Sequence, residues 1–158
     1  MKVVDGAEDE VYMASRAGAN AVTALGLAPI ETLDFFTKTC RKWEVYSMID
    51  MLGMENPLSK LTRMSSKPDI VIIHKGRDEE INPRNIIRYK DINKISSKYD
   101  VLISVAGGID QNNIHKAFFN GAHIAVLNVV NEQDFNRGLP RSSNFGTLIP
   151  HILQQTKI

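Results

Sequence analysis

Cysteine is nearly absent from this sequence, neither sign of charge is in surplus, and no apolar run is long enough to cross a bilayer. Each shortage removes a class of function. The lone Cys40 has no partner for an intrachain disulfide, so a cross-linked secreted scaffold is excluded and a reducing cytoplasm is the expected compartment. Its place in a helical pattern suits a small buried apolar residue. Nineteen basic residues against eighteen acidic ones leave a formal charge of +1, which gives no global pull toward nucleic acid or an anionic membrane. Any anion site must be local. With no apolar run of about 18 residues and no basic-then-apolar leader, neither a membrane span nor export is expected. Low-complexity tracts and internal linkers are missing too, and 158 residues with 43% hydrophobic and 23% charged composition fit one domain around one core.

What is present is a repeated strand and helix pattern. Strand-like runs span Ala21 to Leu25, Val45 to Met51, Asp69 to His74, Val101 to Val105 and His123 to Val130, with helical patterns between them. Asn56-Pro57 reads as an N-cap followed by proline at the first helical position, and Asp110 reads as the cap of a helix ending at Asn120-Gly121. Leu33, Phe36 and Cys40 form one core-facing stripe, and Ile114, Ala117 and Phe118 another. Gly6 to Ala19 is expected to be a helix with Glu8, Asp9 and Glu10 at its favourable dipole end. The residues before it, Met1 to Asp5, read as the last turn of a strand, so the chain is expected to open in the middle of a β-α repeat. Toward the other end, Arg137 to Asn144 reads as loop, followed by a short helix through Ile149, Ile152 and Leu153.

Two of the apolar strands end in chemistry. Ile70-Val71-Ile72-Ile73 runs into His74-Lys75-Gly76-Arg77-Asp78, and Val101-Leu102-Ile103-Ser104-Val105 into Ala106-Gly107-Gly108-Ile109. Continuous apolar runs are what a parallel strand covered on both faces requires, and the carboxyl ends of such strands are where ligands bind. His74 and Arg77 are placed for a proton shuttle and an anion clamp, while Gly107 and Gly108 permit backbone to approach a phosphate. Asp78, Glu79 and Glu80 read as a solvated helix start rather than as metal ligands. His115, His123 and His151 fall in no recognisable sequence motif and read as structural or surface residues, and Trp43 as a packing anchor.

These residues, together with Ala17-Gly18-Ala19-Asn20-Ala21-Val22, Gly26-Leu27-Ala28-Pro29, Tyr46-Ser47-Met48-Ile49-Asp50-Met51 and Lys67-Pro68-Asp69, resemble the 3-hexulose-6-phosphate synthases of the orotidine-monophosphate-decarboxylase superfamily. The likeness is greatest to the synthase domain that archaea fuse to formaldehyde-activating enzyme, and it runs from Met1 to about Val130. It implies an α/β fold: a (β/α)8 TIM barrel with parallel strands and covering helices, a homodimer with active sites near the subunit interface, and a magnesium ion that stabilises an enediolate. Residues 1–158 are then expected to form one synthase-like domain, a partial barrel lacking its first strands.

The family signature Asp-x-Lys-x-x-Asp aligns with Met1-Lys2-Val3-Val4-Asp5 so that Lys2 takes the lysine position and Asp5 the second aspartate, which in the family reaches the neighbouring subunit's site. The first aspartate position would precede Met1, and the implied metal set is incomplete in this sequence. Asp50 matches an acidic residue at the end of the fifth family strand, and His74 the proton-shuttling histidine. Arg77 has its counterpart in the 3-keto-gulonate-phosphate decarboxylases, which carry His-x-x-Arg-Asp. For phosphate, Gly107-Gly108 preserves the first half of the family site, whereas Val126-Leu127-Asn128-Val129-Val130 stands where glycine is expected, leaving Asn128 as the remaining side-chain donor.

The resemblance thus implies an aldolase or lyase that interconverts formaldehyde plus ribulose 5-phosphate with a hexulose 6-phosphate. Two alternatives stand beside it: a non-catalytic truncated barrel that acts by pairing with itself or another protein, and a keto-gulonate-phosphate-type or orotidine-phosphate-type decarboxylase. An open sheet exposes an edge, so oligomerisation is expected in each case.

Overall fold

The computed structural model describes residues 2–156. Five parallel strands form one sheet in sequence order: β1 (Ala21–Leu25), β2 (Tyr46–Asp50), β3 (Ile70–His74), β4 (Leu102–Ala106) and β5 (Ile124–Val126). Helices α2 (Ile30–Lys42), α3 (Pro57–Arg63), α4 (Lys90–Ser96) and α5 (Ile114–Phe119) connect them, and α1 (Ala7–Arg16) precedes β1. The barrel is not closed: among the described residues β5 has a hydrogen-bonded neighbour on one side only.

The residues dictate this layering. In β3, Ile70, Val71, Ile72 and Ile73 are all buried, as a strand covered on both faces demands. Leu33, Phe36 and Cys40, spaced three and four apart on α2, have no accessible surface and pack into the same core as Ile49, Val71, Ile103 and Val105. Burial pushes the Cys40 thiol up to about 12, with the nearby Asp69 charge adding to the shift, so it is a packing group rather than a nucleophile. Asn56 caps α3 by accepting a 3.0 Å hydrogen bond from the Ser59 amide, with Pro57 at the first helical position. A polar clasp sets the β2 to β3 offset: the Asp69 carboxylate accepts from the Ser47 amide and hydroxyl, each at 2.7 Å.

The stub before α1 does pair with the sheet. Val3 forms an isolated parallel bridge to Ala24, donating to the Thr23 carbonyl and accepting from the Leu25 amide, each at 2.9 Å. Other boundaries differ from the sequence expectation. α1 stops at Arg16, and Asp110 does not cap α5 directly; its carboxylate closes the turn at Asn112 and Asn113, one step ahead of the helix. The run expected as one strand from His123 to Val130 is broken. Its second half, β6 (Val129–Val130), leaves the main sheet and pairs with β7 (Leu139–Pro140). Gly138 permits the change: a Cβ there would lie 2.5 Å from the Asn128 carbonyl oxygen, which accepts instead from the Leu139 amide. Helix α6 (Phe145–Gln155) follows, with Ile152 buried and Leu153 exposed.

Candidate functional site

Parallel pairing brings the last residues of β2 and β3 to one end of the sheet, with Asp50 opposite Ile72 and His74 opposite Ala106. Asp50 is the hub there. Its side chain is 3% exposed, yet it accepts from His74 Nδ1 at 2.8 Å and 3.0 Å, from Lys2 Nζ at 2.8 Å, and from the Leu52 amide at 2.9 Å. Burial alone would raise the Asp50 carboxyl; hydrogen bonds from His74, Lys2 and the Leu52 amide, and the charge of His74, more than offset it and hold the group below the usual carboxylate range. An ionised Asp50 fixes the His74 tautomer, because only a protonated Nδ1 can donate to it, and Nε2 is left with its lone pair. Lys2 reaches this point because the Val3 bridge lays its backbone beside β1. His74 also lines a cavity of about 180 Å³ with Met51, Met54, Ile87, Arg88 and Asp91.

The other residues singled out from sequence lie elsewhere. Asp5 is exposed, beside Glu8, Asp9 and Phe35, and does not join Asp50. Arg77 turns away, its Nε donating to Asn136 Oδ1 at 2.9 Å while the Asn136 amide donates back to the Arg77 carbonyl at 3.0 Å. Gly107 and Gly108 both adopt positive φ, and a Cβ on Gly107 would lie 1.8 Å from the Lys75 carbonyl oxygen, so no larger residue fits that turn. The Gly108 amide donates to Glu80 Oε1 at 3.0 Å. Asn128 is exposed and does not line the cavity at Gly108.

Lys75, Glu80 and Arg137 were not read from the sequence as site residues. All three line a second cavity, of about 300 Å³, together with Gly108, Asn113 and Lys116. Lys75 carried a readable signal, since it follows His74 at the strand end; Glu80 and Arg137 are brought in from separate loops and carried none.

The implied magnesium ion does not fit the residues described. Both Asp50 oxygens already accept hydrogen bonds, from the Lys2 ammonium, the His74 ring and an amide, Asp5 lies apart, and no three His, Cys, Asp or Glu side chains converge as ligands among the described residues. His123 is spoken for as well, its Nδ1 accepting from the Ile103 amide at 3.0 Å.

No protein-family model matches the chain. In sequence it is 36% identical over 138 residues to the "Bifunctional enzyme Fae/Hps" of Methanocella arvoryzae, an alignment that covers 85% of this chain and 35% of that protein. In structure it is similar to a crystal structure of 3-hexulose-6-phosphate synthase, with a TM-score of 0.66 and 29% identity over 80% of this chain and 60% of that one. The chain belongs to the 3-hexulose-6-phosphate synthase family. The synthase from Salmonella typhimurium matches the fold over 98% of this chain and 71% of its own length, with a TM-score of 0.79 at 20% identity. This family member spans about a third of the length of the curated relatives it matches. No helix among its described residues is long and apolar enough to cross a membrane.

Proposed function

We propose that this chain carries the proton-transfer centre of a hexulose-phosphate-synthase-type aldolase. The observation that supports it is the buried Asp50 carboxylate, which holds the Lys2 ammonium and the His74 ring together at one end of the sheet.

The arrangement suits chemistry on a carbon next to a carbonyl. His74 Nε2 takes the proton from that carbon of ribulose 5-phosphate, and the negative charge that develops on the neighbouring oxygen lies near the Lys2 ammonium. The electron-rich carbon then forms a bond to formaldehyde, and the resulting alkoxide takes back the proton from His74 Nε2. Asp50 stays ionised throughout, orienting the ring and stabilising its charged form. The sugar's phosphate end falls to the Gly107-Gly108 turn, one strand over from His74. We extend the proposal to a single synthase-like domain over residues 1–158 and to self-association, with the exposed Asp5 serving a neighbouring subunit's site. The decarboxylase alternative rests on Arg77, whose guanidinium is engaged with Asn136 away from Asp50.

Titration calorimetry of the native chain and of His74→Ala with ribulose 5-phosphate, alongside an assay for hexulose 6-phosphate, tests the reading. Product from the native chain and a loss of at least about a hundredfold in turnover for the variant are expected. Saturable binding without product would move the chain to the assembly alternative.

A further inference from the structure

The turn that should receive a phosphate already holds an anion supplied by the chain itself. The Glu80 carboxylate accepts from the Gly108 amide through Oε1 at 3.0 Å and from the Arg137 amide through Oε2 at 2.7 Å. The two donors come from different segments, the turn after β4 and the loop between β6 and β7. Three cations, Lys75, Lys116 and Arg137, line the same cavity of about 300 Å³, and Glu80 is the one acidic side chain lining it. Among the described residues none of these cations forms an ion pair, with Glu80 or with any other carboxylate. Two inward amides with unpaired cations beside them match an oxyanion larger and more charged than one carboxylate.

We propose that Glu80 is an internal competitor for a phosphate site formed by the Gly108 and Arg137 amides and flanked by Lys75, so that a phosphomonoester binds only by displacing the Glu80 carboxylate. The residue sits on a short 3-10 turn, Asp78–Ile81, with its backbone in a segment that packs no buried side chain, so the side chain leaves without disturbing the core. Displacement exchanges one pair of charge-assisted hydrogen bonds for another and adds the attraction of Lys75, Lys116 and Arg137. The cost of expelling Glu80 is subtracted from the affinity of the phosphate, and removing the carboxylate returns it. The inference depends on the aldolase reading only in taking a sugar phosphate as the natural occupant.

The test is titration of the isotope-labelled full chain with inorganic phosphate, followed through backbone amide resonances, for the native chain, Glu80→Ala and Glu80→Gln. Phosphate is expected to move the Gly108 and Arg137 amides in all three and to bind each variant about tenfold more tightly than the native chain. A clasp with a merely structural role would leave affinity unchanged or lower it, and that result in a folded variant overturns the proposal. Glu80→Gln keeps the shape of the side chain, so it carries the comparison where Glu80→Ala loses its fold. In the native chain alone, phosphate shifts that spare Gly108 and Arg137 also overturn it. Tighter phosphate binding by the variants without aldol product from any protein would sink the aldolase reading and sustain this one. Aldol product with phosphate affinity unaltered by either substitution would do the reverse.

Discussion

At the ends of β2 and β3 the chemistry we propose falls to side chains whose positions the sheet register dictates; at the end of β4 the proposed phosphate contacts fall to backbone amides in loops. His74 and Lys2 converge on the buried Asp50 carboxylate, and both of its oxygens are engaged. The Gly108 and Arg137 amides form an open cradle filled by a side chain from a third segment. The difference separates what must be fixed from what must exchange. A proton relay needs one tautomer and one geometry, and strand ends supply both. A phosphate handle must admit and release its ligand, and a loop cradle with a displaceable occupant does that.

Breaking the first region should cost most. Asp50→Ala leaves the Lys2 ammonium without its counter-charge and the His74 Nδ1 without its acceptor, and we expect a loss of about 3 kcal/mol in urea unfolding together with loss of turnover. The same carboxylate gives the chain an acid dependence. Because its folded pKa lies below its unfolded value, its stabilisation is complete above the ordinary carboxylate range, near pH 4, and is lost as pH falls through the depressed folded value. Melting temperatures of the native chain and Asp50→Ala should therefore converge as acid is added, and a constant gap would show that the ion cluster contributes nothing.

An intermediate effect is expected at the second region's hinge. Gly107→Ala forces a side chain into the left-handed region against the Lys75 carbonyl, for a loss of about 2 kcal/mol in the same unfolding measurement and of phosphate affinity with it. An unfolding midpoint equal to that of the native chain would mean that the turn relaxes and the cradle is not rigid. The smallest effect belongs to Arg77→Ala. The Arg77 side chain is 67% exposed and its carboxylate partner Asp134 stands 3.9 Å away, so a change within about 0.5 kcal/mol is expected and aldol turnover should persist. Loss of turnover there would redraw the boundary between the two regions.

Much of the first region was legible in the sequence, and little of the second. A short, β-branched Ile-Val-Ile-Ile run ahead of polar residues and glycine reads as a covered strand, so the end of β3 and His74 were placed by local pattern alone. The Leu33, Phe36 and Cys40 stripe was equally plain from its spacing. Lys2 and Asp50 needed the family resemblance, since neither residue type at its position announces a partner. Glu80 sits in a run of three acids, a pattern that reads as solvated surface, and its role arises from contacts 28 and 57 residues away in sequence. The break between β5 and β6 was hidden for a similar reason. His123 to Val130 reads as one strand-like run, and it is Gly138, from the following loop, that draws Asn128 aside.

The Val3 bridge gives the cluster a property that neither its charge nor its burial expresses. Two backbone hydrogen bonds, to Thr23 and from Leu25, set the position of the Lys2 cation beside Asp50, and their opening withdraws it. The fraction of molecules with a complete site is then the fraction in which this ribbon is closed, and apparent affinity for an anionic intermediate scales with it. Hydrogen exchange at the Leu25 amide reads that fraction directly, so the readiness of the site is measurable at a backbone position that touches no substrate.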